Sequence, residues 1–385
     1  MNTPALKKVI VVDLSLKQTS PAGSCVLSEL IGLAPLYDIH VFSTAIDEVL
    51  EKQVSYHPVP VISFPLLLRY VLFSIKVRNQ VNEFVKKIGP VLIQTTQGQY
   101  TNSQISYPHF CHTGYLKKYW KESKSTGLKR IMRKLNHKFN ARMESKAFNR
   151  AEIIVVPSQG LRQEIVEFYP KHKDKIMVIP NPVAIEFFEK PIGFEGAQLR
   201  DELGIAKNDL VISFVALGDF ARKGLPELMK ALNEDTLKDK FFKIVVAGGK
   251  AQEIRTYRQM SKDLGIENKV IFVGFHTDIR PYLWISDLFS LPSLYEIFPL
   301  VCVQAAAAGL PLLVSQMHGV EEYFEDEKNG WLIERTPQSI AQVLNANSNN
   351  CYELDTMGKF ASQSVKKYSH ENFRKQWINL YNTLN

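Results

Sequence analysis

Residues 287–322 read DLFSLPSLYEIFPLVCVQAAAAGLPLLVSQMHGVEE. The apolar run Leu288–Leu291 predicts a short buried strand that enters a loop carrying one acid, Glu296. A helix then starts at a proline, runs through small residues and stops at Gly309. This is a strand–loop–helix unit with a carboxylate at the carboxyl end of a parallel strand, where open α/β sheets bind ligands. Eight positions on stands Gln304. The helical rise puts the two side chains about 10 Å apart, within reach of one extended polar ligand.

The same rhythm extends in both directions. Upstream, strands are predicted at Lys8–Asp13, Ile39–Ser43, Val59–Ser63, Val91–Thr95, Ile105–Tyr107, Ile153–Pro157 and Met177–Pro180. Helical patterns at Ser24–Leu36, Leu66–Ile88 and Leu128–Asn149 lie between them. The second half repeats the alternation with strands at Val211–Leu217, Lys243–Ala247, Val270–Val273, Leu288–Leu291, Leu312–Ser315 and Trp331–Ile333. Runs of Val and Ile without polar alternation fit strands buried on both faces, and alternating β and α elements imply parallel sheets. The expected architecture is two doubly wound, Rossmann-like α/β domains facing each other across a cleft. Residues 1–182 form the first, 183–208 a linker marked by Pro180, Pro182, Gly193 and Gly196, and 209–368 the second. The last helix, within 369–385, carries Phe373, Trp377, Leu380 and Tyr381 roughly on one face and must dock, with the first domain as a candidate.

A chain of 385 residues exceeds what one core usually serves. Its four cysteines are far apart, with no Cys-x-x-Cys pair, which fits free thiols in a reducing, cytoplasmic compartment. Val9–Val12 breaks at Asp13 and reads as a buried strand, not a signal peptide. The greasiest stretch, 59–77, is interrupted by Pro60, Pro65, Arg69 and Lys76, too often to span a bilayer. The net charge of +8 is concentrated between Tyr115 and Lys146, where eleven Lys/Arg face only Glu122 and Glu144. Leu128, Ile131, Met132, Leu135, Phe139 and Met143 recur there at helical spacing. A solvated helix face is one reading; a helix lying on anionic lipid head groups is the one favoured. No nucleic-acid partner is expected, because no nucleic-acid-binding module is present. Leu66–Ile88 reads as a core helix first and a membrane contact second.

The second domain opens with VISFVALGDFARKGLPEL, residues 211–228. A buried strand ends at Gly218, and the cations Arg222 and Lys223 precede a helix start, an arrangement suited to a diphosphate. It is neither a P-loop nor a dinucleotide fingerprint. His109-Phe-Cys-His112 invites a metal reading, but strand-like alternation would split its ligands between two faces, and no further ligands follow at zinc spacing. No Asp-x-Asp occurs in the chain.

Taken together, these segments resemble the retaining, nucleotide-sugar-dependent glycosyltransferases of family 4, which have the GT-B fold. The resemblance is carried by the 218–224 turn, Val246–Gly249, Val270–Gly274, Pro292–Glu296, Gly319–Glu322 and Asn329-Gly330. In the first half it rests on Pro21–Ser24, His112-Thr113, Val156–Ser158 and Ile179–Pro182. It implies that Arg222 and Lys223 neutralise the departing diphosphate and that Glu296 binds sugar hydroxyls. It further implies that the Leu300 and Val301 amides join the phosphate site, with the turn at Gly218. His112 would line the sugar pocket, and Gly23 would let the donor approach the first domain closely. Gln304 stands where the family has a second Glu on the ribose, so an altered ribose contact is expected. Ile297 and Pro299 replace the usual glycines, and proline suits a first helical position.

The expected function is retaining transfer of a hexose from a nucleoside diphosphate sugar, UDP- ahead of GDP-, to a glycan or lipid-linked acceptor. Cell-surface polysaccharide or lipopolysaccharide-type assembly is the setting, on the inner face of the cytoplasmic membrane. No metal and no cofactor beyond the nucleotide sugar are expected. The alternatives are a sugar-nucleotide epimerase of the same fold and a silent protein that binds nucleotide sugar or lipid.

Overall fold

The computed structural model describes residues 6–122, 127–238, 240–347 and 351–384. It divides into two compact units, Met1–Pro182 with His370–Asn385, and Val183–Ser369.

The first unit is built on seven parallel strands, β1 (Lys8–Val12), β2 (Asp38–Ser43), β3 (Ser55–Pro58), β4 (Leu92–Thr96), β5 (Ile105–Tyr107), β6 (Ile153–Val156) and β7 (Ile176–Val178). Their order is β3-β2-β1-β4-β5-β6-β7. Val9–Val12 are wholly buried because helices cover both faces of the central strand. The first helix, α1 (Pro21–Leu33), has Ser20 as its cap, accepting from the Gly23 N–H at 3.2 Å, with Pro21 at the first position. The second, α2 (Leu66–Ile88), sends Phe73, Val77 and Val81 at i, i+4, i+8 into a core with Ile10, Val12 and Ile93. The third, α3 (Gly127–Arg150), buries only Glu144, Ala147 and Phe148, near its end.

The second unit has six parallel strands, β8 (Leu210–Ala216), β9 (Phe242–Gly248), β10 (Val270–Gly274), β11 (Leu288–Leu291), β12 (Leu312–Ser315) and β13 (Gly330–Ile333), in the order β10-β9-β8-β11-β12-β13. Strand order reverses between β8 and β11, and α4 (Leu300–Ala307) follows β11. The chain then returns to the first unit as α5 (His370–Leu384), packed against α1. Phe373, Trp377, Leu380 and Tyr381 are its buried face. Tyr381 donates to Gln94 Oε1 at 2.8 Å, and Arg374 Nε to the Ser28 carbonyl at 3.0 Å.

Three expectations need correction. The strand expected at Val59–Ser63 lies earlier, at Ser55–Pro58, where it pairs with His40–Ser43. It is an edge strand, where proline is tolerated, and Pro60 and Pro65 remove N–H donors from the stretch beyond. Residues 183–208 are no linker. Ile185 and Phe188 enter the core of the second unit, the Phe188 carbonyl accepts from Trp284 Nε1 at 2.8 Å, and Arg200 holds the Asp209 carbonyl. Strand alternation does not carry through His109–His112, because β5 ends at Tyr107 and Cys111 caps a helical turn at His112–Gly114.

Because Trp377 is fully buried among the first unit's elements, Trp377→Ala should cost about 3–5 kcal/mol in urea unfolding. Wild-type stability in that variant would show that α5 is dispensable to the core.

Candidate functional site

The switch point between β8 and β11 is where the sheet leaves room for a ligand at its carboxyl edge, and the two loops leaving those strands carry the predicted residues. After β8, Gly218 and Asp219 both have positive φ, 151° and 58°, which turns the chain sharply into a one-turn helix, Phe220–Lys223. Phe220 is the anchor: its ring is fully buried and its N–H is taken by Glu253 Oε1 at 2.7 Å. Gly224 then lies so close to the second loop that a Cβ would come 2.0 Å from the Pro292 carbonyl oxygen. Only glycine permits that approach at its φ of 88°.

That approach brings the predicted cations onto the predicted acid. Arg222 Nη1 donates to Glu296 Oε1 at 2.8 Å, Lys223 Nζ to the same oxygen at 2.6 Å, and Ser293 Oγ also at 2.8 Å. Arg222 Nε reaches Asp219 at 3.1 Å. Burial pushes the Glu296 carboxyl up, but Lys223 and Arg222, with the Lys223 and Ser293 hydrogen bonds, outweigh it and hold the group at about 2. For Arg222, burial opposes the charge, and Glu296 and Asp219 more than restore it. The four groups sum to no net charge, with both cations held rigidly in place. Lys223 retains further N–H donors and Arg222 its Nη2 for an incoming anion.

The loops are stitched by groups that sequence reading did not single out. Arg335, just beyond β13, donates from Nε to the Pro292 carbonyl at 2.9 Å, from Nη2 to the Ala221 carbonyl at 2.5 Å, and pairs with Glu227 at 3.1 Å. The Arg222 carbonyl accepts from the Leu294 N–H at 2.8 Å. Gly319, at φ 88°, passes so close to Ile297 and Phe298 that a Cβ would lie 2.4 Å from the Phe298 Cα. No local signal announces Arg335; its partners Ala221 and Glu227 are more than a hundred residues away in sequence, and Pro292 more than forty.

The helix α4 starts one residue later than expected. Pro299 is its cap, with a non-helical ψ of 96°, and Leu300 is the first helical residue. The N–H groups of Leu300 and Val301 therefore belong to the first turn, where no intrahelical acceptor exists. Gln304 lies one turn on, half-buried, on the Leu300 side of the helix.

The first unit holds the other two predicted residues. Gly23 serves local packing: a Cβ there would stand 2.1 Å from the Ser15 carbonyl oxygen, in the loop after β1. His112 opens the helical turn beyond β5, and its backbone N–H donates to Glu144 Oε2 at 2.9 Å. Its ring Nδ1 lies 3.0 Å from Nδ1 of His137 on α3. Burial, then His137, pushes His112 down to about 3, so its ring is neutral near pH 7. Among the described residues no group of three His, Cys, Asp or Glu side chains is placed to hold a metal ion.

Residues 197–363 match the family model of glycosyl transferases group 1, and residues 23–187 match that of glycosyltransferase family 4. The chain belongs to the family 4 glycosyltransferases. This family 4 chain is 30% identical over 234 residues to an uncharacterised glycosyltransferase of Methanocaldococcus jannaschii, covering 59% of each. It is also 30% identical over 191 residues to the UDP-Gal:α-D-GlcNAc-diphosphoundecaprenol α-1,3-galactosyltransferase of Escherichia coli, covering 46% of this chain and 48% of that one. The chain thus matches less than two thirds of the length of these curated relatives. Two solved structures share its fold nearly end to end. WaaG, a glycosyltransferase involved in lipopolysaccharide biosynthesis, has a TM-score of 0.77 at 16% identity, covering 97% of this chain and 99% of that one. Anabaena HepE in complex with UDP and glucose has 0.75 at 20%, covering 98% and 100%. The fold is GT-B, with two parallel-sheet Rossmann-like domains.

Glu296 has a folded pKa below its ordinary 4.5, so its contribution to stability is complete above pH 4.5 and fades as the pH falls through about 2. Glu296→Gln should therefore be less stable than wild type by a few kcal/mol near neutrality, the gap narrowing between pH 4.5 and 2 in urea titrations. A gap independent of pH over that range would show that the ion cluster does not hold the acid ionised.

Proposed function

We propose that this chain transfers a hexose from a UDP-sugar to a glycan or lipid-linked acceptor with retention of anomeric configuration. The observation that carries the reading is the buried cluster of Arg222, Lys223 and Glu296 at the β8–β11 switch point. Breaking the bond between the sugar C1 and the phosphate oxygen leaves charge on the diphosphate. Fixed cations and the first-turn amides of α4 meet that charge without reorganising. The acceptor hydroxyl oxygen bonds to C1 on the same face, and its proton passes to the leaving phosphate oxygen. In this reading Glu296 keeps its second carboxylate oxygen for a sugar hydroxyl, since all three donors converge on Oε1. Electrostatic stabilisation by Arg222 and Lys223 stands in for a divalent ion. The UDP assignment is supported by the UDP bound to HepE, and the lipid-linked acceptor by the name of the Escherichia coli relative.

The membrane surface is part of the same proposal. On α3, Leu128, Ile131, Met132 and Leu135, at i, i+3, i+4 and i+7, are exposed, Leu128 by 74%. Ile62, Phe64, Leu66 and Leu68, entering α2, are exposed as well, Phe64 by 81%. The two helices pack on each other, and each runs from the carboxyl end of one strand back to the start of the next, so their exposed beginnings share one end of the sheet. No Asp or Glu occurs between Lys52 and Asn82 or between Gly127 and Met143, whereas Arg69, Lys76, Lys129, Arg130, Arg133, Lys134, Lys138 and Arg142 do. An apolar surface ringed by cations alone matches an anionic bilayer, here the inner face of the cytoplasmic membrane. Among the described residues no helix is long and apolar enough to cross a membrane.

Glu296→Ala and the double substitution Arg222→Ala/Lys223→Ala should each abolish transfer in folded protein, and UDP should raise the wild-type melting temperature. Near-normal turnover in either variant would overturn the site assignment. Release or isomerisation of the sugar without acceptor would mark an epimerase or hydrolase instead.

Co-sedimentation should occur with anionic vesicles, weaken with salt and fail in Leu128→Ser/Ile131→Ser. Equally poor binding to neutral and anionic vesicles would remove the membrane claim.

A further inference from the structure

The ring of His112 is held by a second histidine that no motif includes. His137 lies on α3, seven residues before Glu144, so both project from the same side of that helix. Glu144 takes the backbone N–H of His112 at 2.9 Å and is itself held by the Tyr169 hydroxyl at 2.9 Å. His137 meets the ring of His112, Nδ1 to Nδ1, at 3.0 Å. One helix therefore fixes both the main chain and the side chain of His112. The His137 ring is packed in turn: Tyr115 stacks on it at 4.8 Å, with Phe110 at 5.6 Å and Trp120 at 5.9 Å.

We propose that His137 is a positioning residue that fixes the orientation and the tautomer of His112. The proposal rests on the reading of His112 as a sugar contact. Burial lowers both histidines, to about 3 for His112 and about 4 for His137, where the nearby Arg133 charge adds to the effect. Both rings are then neutral at pH 7, and each carries one N–H. A hydrogen bond between two Nδ1 atoms needs one donor and one acceptor. The donor ring keeps a lone pair on its Nε2, and the acceptor ring carries its proton there. The two rings are thus locked as opposite tautomers. Whether His112 Nε2 donates to a sugar hydroxyl or accepts from one is decided by its partner on α3.

The test uses the uniformly 15N-labelled full chain, with two-bond 15N–1H imidazole spectra at pH 7 assigned from His112→Ala and His137→Phe. His112 and His137 should show opposite neutral tautomers. In His137→Phe the His112 signals should move to the averaged shifts of a mixed tautomer, and kcat should fall about tenfold with the KM for the UDP-sugar little changed. His137→Asn, whose amide occupies the place of the ring Nδ1, should recover most of kcat. Identical tautomers, or a His112 spectrum unchanged in His137→Phe, would overturn the proposal. So would a His137→Phe enzyme of normal kcat if His112→Ala has lost transfer. Full transfer by His112→Ala would instead overturn the sugar-contact reading and with it the effect on kcat, while the spectra alone would still decide whether His137 fixes the tautomer.

Discussion

Three donors on one buried carboxylate oxygen are the constraint around which the second unit is arranged. Arg222, Lys223 and Ser293 converge on Glu296 Oε1, and removing any one charge would strand the others in a site that water barely reaches. The cluster forms only if the loops after β8 and β11 run almost in van der Waals contact. Gly224 allows that contact, and Arg335 ties the Ala221 and Pro292 carbonyls together. Gly319 brings a third loop, after β12, against Ile297 and Phe298. Glycine positions and a staple from β13 thus serve one electrostatic end.

The cluster also changes what the motif residues mean. In the sequence, a cation pair and an acid seventy-odd residues apart read as two ends of one nucleotide-sugar site, the diphosphate end and the sugar end. In the structure they form one unit, so the acid orients the cations as much as the cations hold the acid. A catalyst of phosphate departure needs charges that do not move when the charge develops, and a buried cluster of paired charges has that property. Gln304 is on α4 and makes no part of this cluster.

How far the sequence could be read followed from physics. Strands buried on both faces are continuous apolar runs, and so Ile105–Tyr107, Leu288–Leu291 and Leu312–Ser315 fall where the pattern puts them. The edge strand β3 has no such run, and prolines blur its end. The position of Glu296, Arg222 and Lys223 at the carboxyl edge of the sheet was legible because strand–loop–helix units mark that edge. Their mutual contact was not, since it depends on which strands are neighbours, and β8 lies beside β11 with two others intervening in sequence. Arg335 and His137 were illegible for the same reason: each acts through partners that only topology brings near. The segment 183–208 misled because prolines and glycines signal a break in regular structure, which here is a packed, irregular edge of the second core.

The two units solve the cost of burying polar chemistry in opposite ways. Around Glu296 the charges are kept and paired, and the acid falls to about 2. Around His112 the charges are given up: burial leaves His112 and His137 as bases too weak to be protonated at neutral pH, and it pushes Glu144 to about 8 against the hydrogen bonds it accepts. A departing diphosphate calls for fixed positive charge, whereas a sugar hydroxyl is both donor and acceptor and is met well by a neutral ring of defined tautomer. A charged His137 would also have to be desolvated beside the Arg133 charge. The neutral set therefore follows from the same burial that places α3, whose inner side carries His137 and Glu144 while its first turns remain uncovered.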